Sequence, residues 1–288
     1  MKKWTMLLLL LACLVPSVGA AEKFSLRISY GAGKIAPSDL NNFFADFVAL
    51  RRAIGYVLPA MKTLDWSNDF EITLSVPLDD HVSIFASGGL IGAQQVGNDI
   101  DFTSGPGGGY GTFQRNDRIR SLVARLGLSY AVPLSGTLTL RPNVYIDGYW
   151  SSFQDDGAQL YGYSPKPAQT ELSWTTDTKA FNFGYTLGVG LDFAVWSNLS
   201  LTVDTGWRRA KLSGFEGSYQ ETNFGDAAEP QNFRLFYYEQ DVDLDLVGWA
   251  YRALNLPEAY SGNTVRVIRD AVLDLSGFYG SAGIKISF

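Results

Sequence analysis

"SGFYGSAGIKISF", residues 276–288, closes the chain, and its apolar side chains Phe278, Ile284, Ile286 and Phe288 all fall on one parity. Successive residues of a strand point to opposite faces, so this parity gives the segment one apolar and one small or polar face. A soluble domain rarely leaves such a strand bare at its end. The run reads as the closing strand of a barrel, paired on both sides.

Seven further segments alternate in the same way. In "KFSLRISYGAG" the apolar set is Phe24, Leu26, Ile28 and Tyr30, with Ser25, Arg27, Ser29 and Gly31 between them. "FEITLSVPL" from Phe70, "VSIFASGGLIGA" from Val82, "LVARLGLSYAVPL" from Leu122 and "TLTLRPNVYIDGYW" from Thr137 follow. "FNFGYTLGVGLDFAV" from Phe181 and "LSLTVDTGW" from Leu199 complete the set. The connections alternate in length. Three are tight hairpin turns, at Asp79 to His81, Ser135-Gly136 and Trp196 to Asn198, and four are long, over 34–65, 98–118, 151–180 and 210–271.

The polar parity is rich in Gly, Ser and Thr with opposite charges, which suits a narrow interior better than a wetted exterior. Aromatics cluster at strand ends: Phe24, Tyr130, Phe193, Trp196 and Phe288 at the turn end, Trp66, Trp150, Phe181 and Trp207 at the loop end. Two aromatic girdles, short turns at one end and long loops at the other are the pattern of a membrane barrel with both termini in the periplasm. A soluble eight-stranded barrel of the lipocalin type would carry its apolar residues inward.

The other end of the chain agrees. "MKKWTMLLLLLACLVPSVGA" has two lysines, an apolar core from Met6 to Val15 and small residues before Ala21, the form of a secretory signal, 1–20, cleaved before Ala21. A lipoprotein signal ending at Cys13 is the competing reading. Cleavage at Ala21 leaves 21 Lys and Arg against 29 acids, a formal charge of −8, and removes the one cysteine. The mature chain, 21–288, then forms no disulfide and offers no thiolate to a metal. Its acidity excludes nucleic acid as partner.

On these residues, and above all on the ending "YGSAGIKISF", the chain resembles the OmpA/OmpW-type small outer-membrane barrels. The resemblance implies an all-β, eight-stranded antiparallel transmembrane β-barrel in the bacterial outer membrane, with long extracellular loops. It also implies that Phe278, Ile284, Ile286 and Phe288 form a lipid-facing signal read by the barrel-assembly machinery. Lipid and lipopolysaccharide are then its surroundings. Oligomeric state is not specified by lipid-facing strands.

One loop departs from simple hairpin chemistry. After Pro37, "SDLNNFFADFVALRRAIGYVLP" places Leu40, Phe43, Phe44, Phe47, Val48, Leu50, Ile54 and Val57 at helical spacing. Ser38 or Asp39 can cap the helix and Pro59 ends it. Such a helix caps the barrel mouth, packs on neighbouring loops or lies in the outer leaflet.

The candidates for chemistry are few. Outer-membrane enzymes such as lipid A deacylases, palmitoyltransferases, phospholipases and omptin proteases look built around a histidine near the outer rim. The single histidine, His81, falls in a tight turn at the opposite end, and there is no second imidazole to activate a nucleophile. The sequence therefore reads as non-enzymatic, with no cofactor and no metal. "GPGGGYG" at 105–111 lacks the lysine and helix of a phosphate loop and reads as a loop tip. "DVDLDL" at 241–246 opens like a calcium loop but has Leu246 and Arg252 where glycine and glutamate belong. Asn198-Leu199-Ser200 is a sequon without a role at a periplasmic turn.

The inward parity carries the strongest pattern. Arg27, Arg125, Arg141, Arg208 and Lys285 share it with Glu71, Asp147, Asp192 and Asp204, and charges in a low-dielectric tube must pair. This predicts an ion-pair network that plugs the lumen; a continuous ion pathway is the sharper alternative. Pro142 in the fifth strand and Gly88, Gly89 and Gly92 in the third suggest bulges before they suggest gates. The functional reading is a non-enzymatic outer-membrane barrel whose loops serve structural or binding roles. The competing reading is OmpW-like uptake of small hydrophobic molecules, with Phe43, Phe44, Phe47 and Tyr149 lining an apolar chamber.

Overall fold

The computed structural model describes residues 24–53, 57, 59–95, 100–103, 109–163, 169–223, 226–227, 229–240, 246–253 and 265–288. The signal segment, the tip of "GPGGGYG" and Asp241 to Asp245 lie outside them, as does Ile54 of the helical pattern.

Eight strands close a ring: β1 (Ser25–Lys34), β2 (Trp66–Pro77), β3 (Val82–Gln95), β5 (Gly109–Tyr130), β7 (Leu138–Tyr163), β8 (Gln169–Trp196), β9 (Leu199–Arg209) and β17 (Gly277–Ser287). β4 (Ile100–Thr103) and β6 (Val132–Pro133) are short pieces paired to β5 and β7. Every neighbour is antiparallel, and the ring shuts where Ser25 pairs with Ser287 and Leu26 with Ile286. The C-terminal strand is the closing strand, with β9 on its other side. Closure leaves the ring no free edge, which matters where no water can satisfy backbone groups.

The barrel is apolar outside. Ile146, Phe183 and Val203 are 68%, 72% and 58% exposed, and Ile28, Ile72, Leu126 and Leu187 share their outward parity. On β5 this belt runs from Leu122 to Tyr130, close to the roughly 9–11 residues a tilted strand needs to cross a hydrocarbon layer. Phe24, Tyr130, Phe193, Trp196 and Phe288 are exposed at the turn end, and Trp66, Trp150 and Phe181 at the loop end. Phe24 and Phe288 stack at 4.8 Å where the start of β1 meets the end of β17.

Three of the long connections are largely strand. β5, β7 and β8 continue far beyond the belt, so the stretches 98–118 and 151–180, read as loops, are mostly barrel wall. The fourth connection extends that wall. β11 (Glu216–Asn223) pairs with β8, and β13 (Gln231–Gln240) pairs with β11, β14 (Leu246–Ala253) and β15 (Val265–Asp270). Two further pieces, β10 (Lys211–Leu212) and β16 (Leu273–Asp274), pair with each other, and β12 (Asp226–Ala227) folds back on β11.

The expected bulges are absent at the named positions. Pairing of β3 with β2 and with β5 runs in constant register through Gly88, Gly89 and Gly92. β7 passes through Pro142, which pairs with Val189 of β8 in register. On its other side the ladder skips from Ser129↔Asn143 to Val132↔Leu140 without slipping. Losing one N–H is absorbed as a gap of two residue pairs near the turn, so no bulge results and the strand stays paired on its β8 side.

The first connection holds α1 (Ser38–Ala53), an α-helix as its periodicity predicts. Leu40, Phe44 and Val48, spaced by four, are buried on one face. They join Ile91, Phe113, Ile119, Val123 and Phe153 from the inner wall and Leu212, Phe215, Leu235 and Leu273 from the fourth connection in one apolar core. The helix therefore caps the mouth from inside the raised wall. Val57, from the end of the same pattern, is 74% exposed.

Candidate functional site

The barrel axis is where the inward-facing residues converge, and it is layered. At the turn end is a polar cavity of about 290 Å³ lined by Ser25, Ser75, Ser129 and Thr139, with Arg141 and Lys285 among its walls. Next comes a layer of charge. Beyond it is the apolar core closed by α1.

The charged layer is one alternating chain. Lys285 Nζ lies 2.8 Å from Asp192, Asp192 lies 3.0 Å from Arg141 Nη2, and the same nitrogen lies 3.0 Å from Asp204. Asp204 accepts from Arg27 Nη1 at 2.7 Å, and Arg27 Nη2 reaches Glu71 at 3.1 Å. Glu71 pairs with Arg125, whose Nε lies 3.5 Å from Asp147. Four cations and four anions thus alternate with no net charge. Buried ions need such pairing, because an isolated one is very costly to desolvate.

The chain ends against the core at Asp147. The Tyr149 hydroxyl donates to it at 2.9 Å and the Thr186 hydroxyl at 2.6 Å, while the Tyr149 ring is wholly buried in the apolar cluster. Tyr149 joins the two layers.

Eight of the nine residues predicted for this network fall in that chain. The ninth, Arg208, belongs to a separate cluster: it pairs with Asp69 and donates to Ser67 Oγ at 2.7 Å and to the Leu275 carbonyl at 2.8 Å. Asp69 escapes the sequence reading because "FEITLSVPL" starts the second strand at Phe70. Its parity, shared with Glu71, is the available signal.

A further cluster sits in the raised wall, beyond the apolar belt. Arg115 pairs with Asp117 at 3.1 Å and Asp155 at 3.0 Å, and Asp155 also accepts from the Trp174 indole at 3.1 Å. The Arg115 guanidinium lies 4.6 Å from the Phe43 ring centroid and 5.3 Å from that of Phe44. Burial pushes the Asp117 carboxyl up to about 7; Arg115 opposes the rise and Asp155 adds to it.

The aromatics proposed to line a chamber are packed. Phe44 and Tyr149 are buried, Phe43 and Phe47 lie against the core, and the Phe47 and Phe113 rings are 4.5 Å apart. His81 sits at the turn end, stacked with Tyr130 at 5.5 Å and with Nδ1 3.2 Å from the Ala131 carbonyl. In the same turn the Asp79 carboxylate accepts from the Val82 and His81 backbone N–H groups at 2.7 Å each, which hold its carboxyl below the usual range. Phe278, Ile284, Ile286 and Phe288 all lie on the outer face of β17 and its end.

Eight strands form a closed ring, apolar outside and ion-paired within. The architecture is that of a small outer-membrane barrel. No family model matches the sequence, and no curated protein matches it. Among solved structures the chain is similar to the outer membrane protein OprG from Pseudomonas aeruginosa, at 10% identity over 93% of this chain and 96% of that one, with a TM-score of 0.40. It is similar to a major outer membrane protein from Thermus thermophilus, at 13% identity over 93% and 100%, with a TM-score of 0.40. The outer membrane protease OmpT from Escherichia coli is a third, at 9% identity over 96% and 99%, with a TM-score of 0.36. The assignment of fold rests on the ring and its register.

Proposed function

We propose that the mature chain, exported by the 1–20 signal and cleaved before Ala21, is a non-enzymatic bacterial outer-membrane barrel with a closed lumen. Its tight turns face the periplasm, and its raised strands stand at the cell surface and make the contacts. The C-terminal strand ending at Phe288 is what the barrel-assembly machinery reads. The observation that carries the reading is the stacking of a neutral charge chain from Lys285 to Asp147 directly beneath the α1-capped core. An eight-stranded barrel has an interior that side chains can fill, and these fill it. The placement of His81, the only histidine, at the periplasmic end supports the absence of hydrolytic chemistry at the surface.

Single-channel recording of the refolded mature chain in a planar bilayer tests the plug, with Arg125→Ala and Asp147→Ala beside it. A folded wild type that stays electrically silent is the expected result. Discrete wild-type openings altered by either substitution overturn the plug and make the charge chain a pathway.

A further inference from the structure

The outer face of the wall changes character in a single step. In one row across the strands, perpendicular to them, lie Leu90, Leu122, Trp150 and Phe181, the upper margin of the apolar belt. Two residues further along each strand the next row reads Gly92, Arg120, Ser152 and Lys179. That step is about 7 Å, and Arg120 and Lys179, two strands apart, are separated by about 10 Å. Both are exposed, and the Ser152 hydroxyl lies between them. One row higher Arg118 joins from β5, half-buried, with a solvent-shielded Nε that has no hydrogen-bond partner.

Acids on this face lie at least one row beyond Arg120 and Lys179 or are engaged, and the Arg118 charge acts on Asp156. Asp177 shares the row of Arg118, and Asp156 lies a row beyond it. Glu216, beside Lys179, lies 3.5 Å from Arg234. The polarity from the belt outward is therefore aromatic, basic, mixed, then acidic. The opposite end differs: the turns at 78–81, 134–137 and 196–198 contain Asp79 and Asp80 and no Lys or Arg.

We infer that Arg118, Arg120 and Lys179, with the Ser152 hydroxyl, form a binding surface for the phosphate groups of an anionic outer-leaflet lipid whose acyl chains lie on Leu122, Trp150 and Phe181. Guanidinium groups match phosphate oxygens in two-point geometry, and an ammonium adds a point charge. Basic side chains just beyond an aromatic girdle meet headgroups at the depth where phosphates lie. The inference rests on the outer-membrane reading and adds to it a specific lipid contact on one side of the barrel.

The test uses the full mature chain refolded in mixed micelles with bisphosphorylated lipid A, retained lipid being counted by native mass spectrometry. Arg118→Gln/Arg120→Gln/Lys179→Gln is expected to weaken retention at least about tenfold, since each basic residue at an anionic surface contributes appreciably. Lys211→Gln, which removes an exposed cation elsewhere, is expected to behave as wild type. Excess inorganic phosphate is expected to leave the lipid in place, because its chains remain on the belt. Undiminished retention by the triple variant, shown to be folded by its heat-dependent electrophoretic mobility, overturns the inference while leaving the barrel reading intact. Displacement by inorganic phosphate overturns the lipid as occupant. Failure of the wild type to insert into lipid at all overturns the outer-membrane reading itself.

Discussion

Arg141 on β7 and Asp204 on β9 are separated by a whole strand, yet their side chains meet at 3.0 Å because the residue between them is Gly190. In that row Arg141 pairs with Gly190 and Gly190 with Asp204. A Cβ on Gly190 would collide with Asp204 Oδ1 and sit 2.7 Å from Arg141 Nη2. The missing side chain on β8 is the space in which the charge chain crosses the barrel.

Gly190→Ala is therefore expected to push the carboxylate and guanidinium apart and to cost about 1–3 kcal/mol, the usual range for overpacking. Gly88→Ala, on the lipid-facing side of β3 with nothing within 4 Å of its Cβ position, is expected to be close to neutral. Urea unfolding of the two refolded variants in lipid vesicles checks the pair. Equal stabilities would mean that the charge chain repacks freely.

The belt was legible because lipid imposes one rule, apolar outward, on every strand it touches. Leu122, Leu126, Leu128 and Tyr130 on β5 obey it, as do Phe181, Phe183 and Tyr185 on β8. Beyond the belt the rule reverses. On β5, Phe113 and Ile119 are buried inside while Arg118 and Arg120 face out, so the alternation continues with its sign changed. Reading one parity alone ends the strand at Leu122 and leaves the raised wall as loop. Arg115, Asp117 and Asp155 are lost in that way, whereas the nine lumen charges lie at membrane depth and keep their parity. The pairing of Arg208 with Asp69 needs the three-dimensional register, since 139 residues separate them.

Arg208 and Asp69 provide a second test. Arg208 is among the most deeply buried side chains, and removing one partner of a buried pair typically costs about 3–5 kcal/mol because the other charge is stranded. Arg208→Met is expected in that range. Adding Asp69→Asn to it is expected to recover part of the loss, which a double-mutant cycle in the same urea assay measures. No recovery would place the role of Arg208 with Ser67 and the Leu275 carbonyl instead.

The raised wall is expected to respond to pH through Asp117. Its carboxyl titrates near 7 when folded and near its ordinary value of 3.8 when unfolded, so between those values the folded state holds more protons. Stability of this region then falls as pH rises from about 4 to 7 and levels off above it. Hydrogen exchange in β5 from Gly111 to Ile119, corrected for intrinsic rates, should show more protection at pH 5 than at pH 8. Asp117→Asn is expected to flatten that difference, since it leaves Arg115 and Asp155 as a balanced pair. Persistence of the full difference in the variant would assign the titration to another group.

The first turn of α1 is fastened by a buried acid, while Asn41 bonds the Leu64 backbone. Asp39 is buried, accepts from Arg269 Nη1 and Nη2 at 2.5 and 2.7 Å, and accepts from the Val272 N–H at 2.8 Å. These bonds tie the first turn of α1 to the end of β15 and the residues that follow it. Asp39→Ala removes the acceptor of the half-buried Val272 N–H and one of the groups that hold the Arg269 guanidinium, a loss of about 1.5–3 kcal/mol for hydrogen bonds to a charged group. Proteolysis within 38–53 is expected to accelerate by the corresponding factor of about ten to a hundred where cleavage follows local opening. Conductance should stay at zero, because the charge chain lies beneath the helix and does not depend on it. Channel openings in Asp39→Ala alone would make α1, and not the ion pairs, the seal of the barrel.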